Sequence, residues 1–370
     1  MFLGLISYPL YLWHWPILSV CNIIEGSFPT RTIRIFAVIL SIVLATITYY
    51  FIEPKLRYGK NGNKKALGLF LVMFAIGIYG ITEYKYSFTH KIIPRFAKLD
   101  DVDPWPKSNN ACLTKYPKWA EQENPCQIEV NSSNEITVAI MGDSHSAQLI
   151  SGMFKLKGRA YNLEFYSISC KVPYYKFRSA INSGRANMKY YGGELWDLAF
   201  ESVLNNPKVK TVVLAHYPEC SRREITDILN PNNTLSIEQL HLLGAKRTFD
   251  LLKKYRKQVI IVKDNPSLPF DPKSCQSRPF SFHKNSFSFD RSTFDNYEAR
   301  NFYDSIIEKV ARDYDNISFV DLSNKLCDNS KCYIKIENKV IYKDTNHLNN
   351  FGSMYVAPML DDAIKKALNK

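Results

Sequence analysis

The sequence predicts an α/β protein in two parts: transmembrane helices, then a three-layer α/β/α domain on a parallel sheet. Two observations carry this reading. Apolar residues are concentrated before Tyr84, whereas the chain from Ile92 onward has the composition of a polar globular domain. From Ile136 onward, short β-type runs alternate with helical stretches, the pattern of a parallel sheet covered on both faces. The 370 residues are 46% hydrophobic and 22% charged, which excludes a disordered, collagenous or low-complexity chain.

Three apolar segments open the chain: Phe2 to Ile24, Ile33 to Ile52, and Ala66 to Ile81, the last extended by Tyr84 and Tyr86. A spanning helix needs roughly 20 apolar residues, and all three are expected to span. There is no basic stretch before Phe2 and no small-residue cleavage site after the first segment, so a cleaved signal peptide fits poorly. The loop holding Lys55, Arg57, Lys60, Lys64 and Lys65 is the densest basic loop between spans. The excess of Lys and Arg in cytoplasmic loops places it inside, and the chain after about Tyr86 outside. Glu53-Pro54-Lys55 is expected to end the second helix. His14, among Tyr11, Trp13 and Trp15, reads equally well as a functional group buried in protein or as an interfacial ring beside belt aromatics.

The net charge of +13 is scattered, with no dense basic run beside an aromatic platform, so no nucleic-acid partner is expected. Of eight cysteines, Cys21 lies in the first apolar segment. No pair has CxxC spacing and no His accompanies them at ligand spacing, so no metal site is expected. Disulfides in an oxidising compartment are the better reading, and that is the compartment the basic loop selects. Cys112 with Cys126 is expected to close the Pro- and Trp-rich stretch 100–130. Cys327 with Cys332 is expected to precede a hairpin of Tyr333–Ile336 and Lys339–Tyr342. Cys170 is paired with Cys275 in preference to Cys220.

Strands are expected at Ile136–Met141, Leu163–Ile168, Val209–Ala215, Gln258–Val262 and Ile317–Val320. Helices are expected at Ala147–Lys155, Gly193–Leu204, Ile237–Tyr255 and Phe294–Tyr314, the last supported by Asp304 and Glu308 placed before Arg312. In such sheets ligands bind beyond the carboxyl ends of the strands. The first strand ends in Gly142-Asp143-Ser144-His145. Ser144 falls on the strand-to-helix turn, where free N–H groups face a developing oxyanion, although a Ser here is also a common helix N-cap. Near the other end, Asp344-Thr345-Asn346-His347 places a carboxylate three residues before an imidazole. If that segment turns, Asp344 reaches His347 Nδ1 and leaves Nε2 to take a serine proton. Either motif alone is weak. Together they make Ser144 the expected nucleophile, His347 the base and Asp344 its orienting acid, with His145 a neighbour at the helix start.

These residues carry two resemblances. Tyr8-Pro9-Leu10-Tyr11-Leu12-Trp13-His14-Trp15-Pro16, followed by Phe51-Ile52-Glu53-Pro54-Lys55-Leu56-Arg57, resembles the last two core helices of the membrane acyltransferase-3 family. Gly142-Asp143-Ser144 with Asp344-Thr345-Asn346-His347 resembles the first and last blocks of the SGNH-hydrolase superfamily, whose domain is fused to one branch of those acyltransferases. The resemblance implies the C-terminal part of such a protein. Residues 1–57 would be the last two core helices, 58–90 a cytoplasmic loop and an additional helix, 91–135 an extracytoplasmic linker, and 136–370 an SGNH-like domain. The family's earlier helices are absent, so the chain is expected to be a fragment or to work with missing helices or a separate acyltransferase subunit. The resemblance further implies a multi-pass protein of the bacterial inner membrane with a periplasmic C-terminal domain. It implies O-acetylation of a surface polysaccharide, lipopolysaccharide or peptidoglycan, with the glycan as acceptor and acetyl-CoA as donor to the complete protein. No P-loop or GxGxxG is present, so the soluble domain is expected to bind no cofactor. Two alternatives stay open: an anchored esterase with water as acceptor, and a non-catalytic glycan-binding module.

The family's usual oxyanion donors are a Gly after the second strand and an Asn after the third. Here those places read Cys170-Lys171-Val172-Pro173 and His216-Tyr217-Pro218-Glu219, and the nearest Gly-rich site is Gly192-Gly193. Only the Ser144 N–H is assigned. Tyr174, Tyr175, Phe177, Tyr190 and Tyr191 are possible sugar-stacking rings, though each by itself reads as core or loop.

Overall fold

The structure, a computed structural model, describes residues 2–25, 29–57, 61–86, 105–129, 135–179, 193–220, 222, 224–275 and 286–370. It divides into two compact units, Met1–Asp100 with Phe270–Ser286, and Asp101–Pro269 with Phe287–Lys370.

In the first unit, α1 (Ser7–Glu25) packs on α2 (Arg31–Ile47), and α3 (Gly62–Tyr86) follows. The buried face of α2 is Ala37, Ser41 and Ala45, small residues that allow close approach. Trp13 Nε1 donates to Thr48 Oγ1 at 2.9 Å. Among the described residues, two helices are long and apolar enough to cross a membrane, Arg31–Leu56 and Gly62–Glu83, with mean hydropathies of 2.4 and 1.9. The first expected span forms α1 but is not among them, its apolarity diluted by Tyr, Trp, His and two prolines. His14 turns Nδ1 back onto its own helix, 2.9 Å from Tyr11 O and 3.1 Å from Leu10 O. Pro54 does not end the second helix as expected. The chain passes through a π-helical turn, Thr48–Ile52, into the helical segment Glu53–Arg57. The wider turn shifts the hydrogen-bond register, with the Glu53 N–H bonding Thr48 O, just where Pro54 has no N–H to give. Lys60 of the basic loop lies outside the described residues.

The second unit is built on a six-stranded sheet of β1 (Cys126–Ile128), β2 (Thr137–Gly142), β3 (Asn162–Ser167), β4 (Val209–Ala215), β5 (Gln258–Lys263) and β6 (Ile317–Asp321). Their spatial order is β1-β3-β2-β4-β5-β6. All pairs are parallel except β1 on β3. All six residues of β2 and of β3 are buried, as expected of parallel strands covered on both faces. One covering layer is α7 (Gly193–Asn205), α8 (Ile237–Lys254) and α9 (Glu298–Ala311). Their Trp196, Phe200, Phe249 and Ile307 join Ala139, Met141, Val212 and Ile261 in one apolar core. On the sheet's far side, α10 (Asn350–Leu368) packs on β4, β5, β6 and α6 (Ile150–Lys155).

The five strands expected after Ile136 form within two residues of their expected bounds. The stretch expected as a linker differs: over 105–129 it carries α4 (Asn110–Lys115), a 3-10 turn and strand β1. Residues 87–104 and 130–134 lie outside the described residues. The last central helix breaks at Asn296 and Tyr297, between Arg291–Asp295 and Glu298–Ala311. The acids expected to face Arg312 turn elsewhere, Asp304 to Arg300 at 3.4 Å and Glu308 to Lys263.

Cys112–Cys126 and Cys327–Cys332 are disulfides as expected. The third expectation is corrected: Cys170 pairs with Cys220, not Cys275. The loops after β3 and β4 leave the same end of the sheet on either side of β2, which brings the two Cα atoms to 5.2 Å. Cys275 belongs to the first unit, and its thiol donates to Ser286 O at 3.0 Å. The expected hairpin forms as a two-residue turn, with Glu337 and Asn338 at φ 48° and 63° between Lys335–Ile336 and Lys339–Val340.

The end of β2 is fixed by close contact with β4. A Cβ on Gly142 would lie 1.7 Å from Ala215 O. Gly142→Ala must therefore push the strand ends apart, and we expect destabilisation of about 1–3 kcal/mol, read as a lowered Tm in a thermal melt.

Candidate active site

Beyond Gly142 the chain turns into the short helix α5 (Ser144–Ala147), and the N-cap of this helix is Asp143, not Ser144. Asp143 is fully buried. Its Oδ1 accepts the His145 N–H at 2.9 Å, and its Oδ2 accepts the Tyr217 N–H at 2.9 Å. His216 Nδ1 is 2.9 Å from the same Oδ2. Burial alone would raise the Asp143 pKa, but the His216 imidazole, by charge and hydrogen bond, holds it below the ordinary carboxylate value. Because Asp143 caps the helix, the Ser144 hydroxyl has no capping role. It sits 2.9 Å from His347 Nε2.

The Asp344-to-His347 segment forms the turn its spacing suggests. Asp344 Oδ1 accepts the N–H groups of Asn346 at 3.0 Å and His347 at 2.8 Å. His347 Nδ1 lies 2.8 Å from Asp344 Oδ2 and 3.1 Å from Oδ1. Burial pushes the Asp344 pKa up, but the hydrogen bond and charge of His347 outweigh this and bring it down to about 2. An ionised carboxylate only accepts, so the proton stands on Nδ1 and the Nε2 lone pair faces the serine. The structure thus brings the three sequence-predicted residues into one hydrogen-bonded chain.

Helix α6 and the turn before it hold that chain in register. Gln148 Oε1 accepts the Leu348 N–H at 2.7 Å, and its Nε2 donates to Asn265 Oδ1 at 2.7 Å. Asn265 Nδ2 in turn donates to Asn346 O at 2.9 Å. Asn349 caps α10, accepting from Gly352 N at 2.8 Å. Trp105 meets the His347 ring edge-on at 5.1 Å between centroids, with the Lys343 ammonium 4.2 Å from the indole.

A second imidazole–carboxylate pair lies beneath the first and is absent from the sequence reading. His145 Nδ1 donates to Asp264 at 2.5 Å, both side chains buried. The His145 ring stacks on Tyr217 at 4.5 Å and lies 4.8 Å from the His347 ring. Burial disfavours the His145 cation, but Asp264 beside it, with Asp143 and Asp344 further off, leaves its pKa above 6.5. The available signal was position: Asp264 follows β5, at the same sheet end as Ser144. Of the rings that could have stacked on sugars but read individually as core or loop, Tyr174 and Phe177 are indeed buried in the core. Tyr175 is half-buried and donates to Glu201 at 2.6 Å, while Tyr190, Tyr191 and Gly192 lie outside the described residues. Among the described residues, no group of three or more His, Cys, Asp or Glu is placed to hold a metal ion.

Residues 111–362 match the family model described as an SGNH domain fused to AT3 domains. The chain belongs to this family. Its domain is therefore of the SGNH esterase and acyltransferase type. Among solved structures, it resembles the periplasmic domain of a lipopolysaccharide acetyltransferase from Salmonella Paratyphi A (16% identity, TM-score 0.45), covering 64% of this chain and 85% of that one. A GDSL-like lipase from Bacteroides thetaiotaomicron shows 17% identity and TM-score 0.36, covering 63% of this chain and 89% of that one. An acetyl xylan esterase shows 19% identity and TM-score 0.35, covering 62% of this chain and 100% of that one. No curated protein sequence matches the chain.

His145→Ala strands the buried Asp264, and loss of one partner of a buried pair costs about 3–5 kcal/mol. Because the folded pKa of His145 is raised, its contribution is full below pH 6.5 and is lost as pH rises through the folded value. The Tm gap between wild type and His145→Ala should be widest below pH 6.5 and narrow as pH rises.

Proposed function

We propose that this chain is an O-acyltransferase, most specifically an O-acetyltransferase, acting on a bacterial surface glycan through an acyl-serine on Ser144. The observation that carries this reading is the unbroken chain from Ser144 Oγ to His347 Nε2 to Asp344. Membership of a family in which SGNH domains are fused to AT3 domains supports transfer, since it pairs the site with a membrane partner of acyltransferase type.

In the proposed cycle, Ser144 Oγ attacks the acyl carbonyl carbon and its proton passes to His347 Nε2. The carbonyl electron pair moves to oxygen. Collapse expels the donor's leaving group, which takes the proton from His347 and leaves an acyl ester on Ser144. A sugar hydroxyl then gives its proton to His347 and takes the acyl group by the reverse sequence. Asp344, ionised down to about pH 2, fixes the imidazole tautomer and stabilises the imidazolium throughout. Its carboxylate is already charged well below neutrality, so its own titration sets no limit on activity above about pH 4.

Hydrolysis is the second reading, and one observation favours it: the Asp344 side chain is 45% exposed and that of His347 20%, so water reaches the site. The donor proposed for the complete system is cytoplasmic acetyl-CoA, with the acyl group passed outward by the membrane part, and residues 1–57 belong to that part in this reading. The proposal places the chain in the bacterial inner membrane with its second unit outside the cytoplasm. The three disulfides and the basic loop around Lys55 and Lys65 support that side.

Purified full chain in detergent should hydrolyse p-nitrophenyl acetate slowly and transfer acetyl to added oligosaccharide in competition with water. Ser144→Ala should abolish both activities. His347→Ala should come close to doing so, and Asp344→Asn should cost on the order of 10³–10⁴-fold in kcat. A folded wild type that binds glycan but turns over no ester would instead support a binding module. An alkaline phosphatase fused after Lys370 should be active in cells, and an inactive reporter in a well-expressed fusion would reverse the topology.

A further inference from the structure

The site lacks the Asn expected after its third parallel-type strand. The chain there, at the end of β4, is spent on Asp143: Tyr217 N–H and His216 both address that carboxylate. Another Asn fills the gap from a different part of the fold. Asn124 is buried and lies inside the loop closed by Cys112–Cys126. Its backbone is pinned on both sides, with Trp119 Nε1 donating to Asn124 O at 3.2 Å and Ser167 N–H donating to Pro125 O at 3.3 Å.

The Asn124 carboxamide meets two main-chain N–H groups that converge on one point. With its oxygen turned toward them, it accepts from Ser144 N at 3.1 Å and Ser169 N at 3.2 Å. Ser167 Oγ is 3.3 Å from the same oxygen, but its proton goes to Asp143 O at 2.5 Å. With the amide turned the other way, its NH2 would face both N–H donors, with only the Ser167 Oγ lone pairs left to accept from it. Two converging N–H groups thus match an oxygen acceptor better than an NH2. One of these donors is the N–H of the nucleophile itself, the group best placed to meet a carbonyl oxygen as Ser144 attacks.

Resting on the acyl-transfer reading above, we propose that Ser144 N–H and Ser169 N–H form the oxyanion hole and that Asn124 is both its resting occupant and its third donor. Without substrate, the Asn124 oxygen fills the hole. An incoming acyl carbonyl displaces it by about one hydrogen-bond length, ~3 Å. The withdrawn carboxamide then turns its NH2 to the substrate oxygen. As Ser144 Oγ bonds to the acyl carbon and its proton moves to His347, the carbonyl electron pair settles on an oxygen held by three N–H donors. Collapse returns that pair to the carbonyl, and Asn124 closes the hole again once the acyl group has left.

Asn124→Ala and Asn124→Asp in the full chain separate this role from loop packing. The aspartate is isosteric and still accepts from both N–H groups, so a packing role predicts wild-type kcat for Asn124→Asp. The proposed role predicts the reverse. Its carboxylate holds the hole shut and repels the oxyanion, so kcat for p-nitrophenyl acetate should fall about 10²–10³-fold, at least as far as in Asn124→Ala. In Asn124→Ala the hole is open but lacks a donor, so kcat should fall while KM stays level or drops. Inhibition by a small alkyl boronic acid, which places a tetrahedral oxygen in the hole, should weaken at least tenfold in Asn124→Asp. A fluorophosphonate probe supplies the control. If Ser144 is labelled in wild type and Asn124→Asp keeps its kcat and boronate affinity, this inference alone fails. If a folded wild type is neither labelled at Ser144 nor active on ester, the acyl-transfer reading fails and takes this inference with it.

Discussion

Asp143 is the buried charge around which this end of the sheet is organised. It lies between β2 and α5; its carboxylate accepts the N–H groups of His145 and Tyr217 and lies 2.9 Å from His216 Nδ1. Its main-chain oxygen accepts from Ser167 Oγ at 2.5 Å and Ser146 Oγ at 2.7 Å. One residue thereby ties together the carboxyl ends of three neighbouring strands, β3, β2 and β4. A buried carboxylate is tolerated only when it is fully partnered, and here every partner is an element that must be placed for the site to exist. By taking over the cap of α5, Asp143 also leaves the next hydroxyl uncommitted. A serine at a strand-to-helix turn would otherwise spend its oxygen on the helix.

The other half of the site depends on how closely two helices approach. A Cβ on Gly152 of α6 would lie 2.2 Å from Ser353 O of α10, so only glycine permits this contact. Gly152 N–H donates to Ser353 Oγ at 2.9 Å, and Ser151 Oγ donates to Asn350 Oδ1 at 2.5 Å. With Gln148 holding Leu348, these bonds fix the His347 loop relative to the helix that follows Ser144. The 2.9 Å separation of serine and imidazole is thus a property of helix packing as much as of the two side chains.

The parts of this arrangement that were legible in the sequence are local. Strand and helix alternation is written in contiguous residues, and so is the turn that lets Asp344 reach His347 three positions later. The pairing of His145 with Asp264 spans 119 positions and has no local motif. Only the rule that strand ends meet at one edge of a parallel sheet would have singled Asp264 out. Asn124 was hidden for a different reason. Its stretch, rich in Pro, Asn and Trp, has the composition of a linker, yet it contributes an edge strand whose pairing partner, β3, lies downstream. The Cys170–Cys220 bond was missed because sequence separation does not reveal that two loops leave adjacent places on one sheet edge. Pro54 was misread because the proline rule assumes an unbroken α-helical register, which the π turn alters.

The 203 positions between Ser144 and its imidazole have a consequence for how the molecule comes into being. Synthesis runs from the N-terminus, so the serine, its helix and most of the sheet emerge well before His347. Until α10 docks through Gly152 and Ser353, the hydroxyl has no proton acceptor and is chemically an ordinary serine. On the proposed reading, a nascent or C-terminally clipped chain holds Ser144 without the imidazole that would activate it. Competence would then arrive with the last helix, and docking of the C-terminus would be the arming step of the domain.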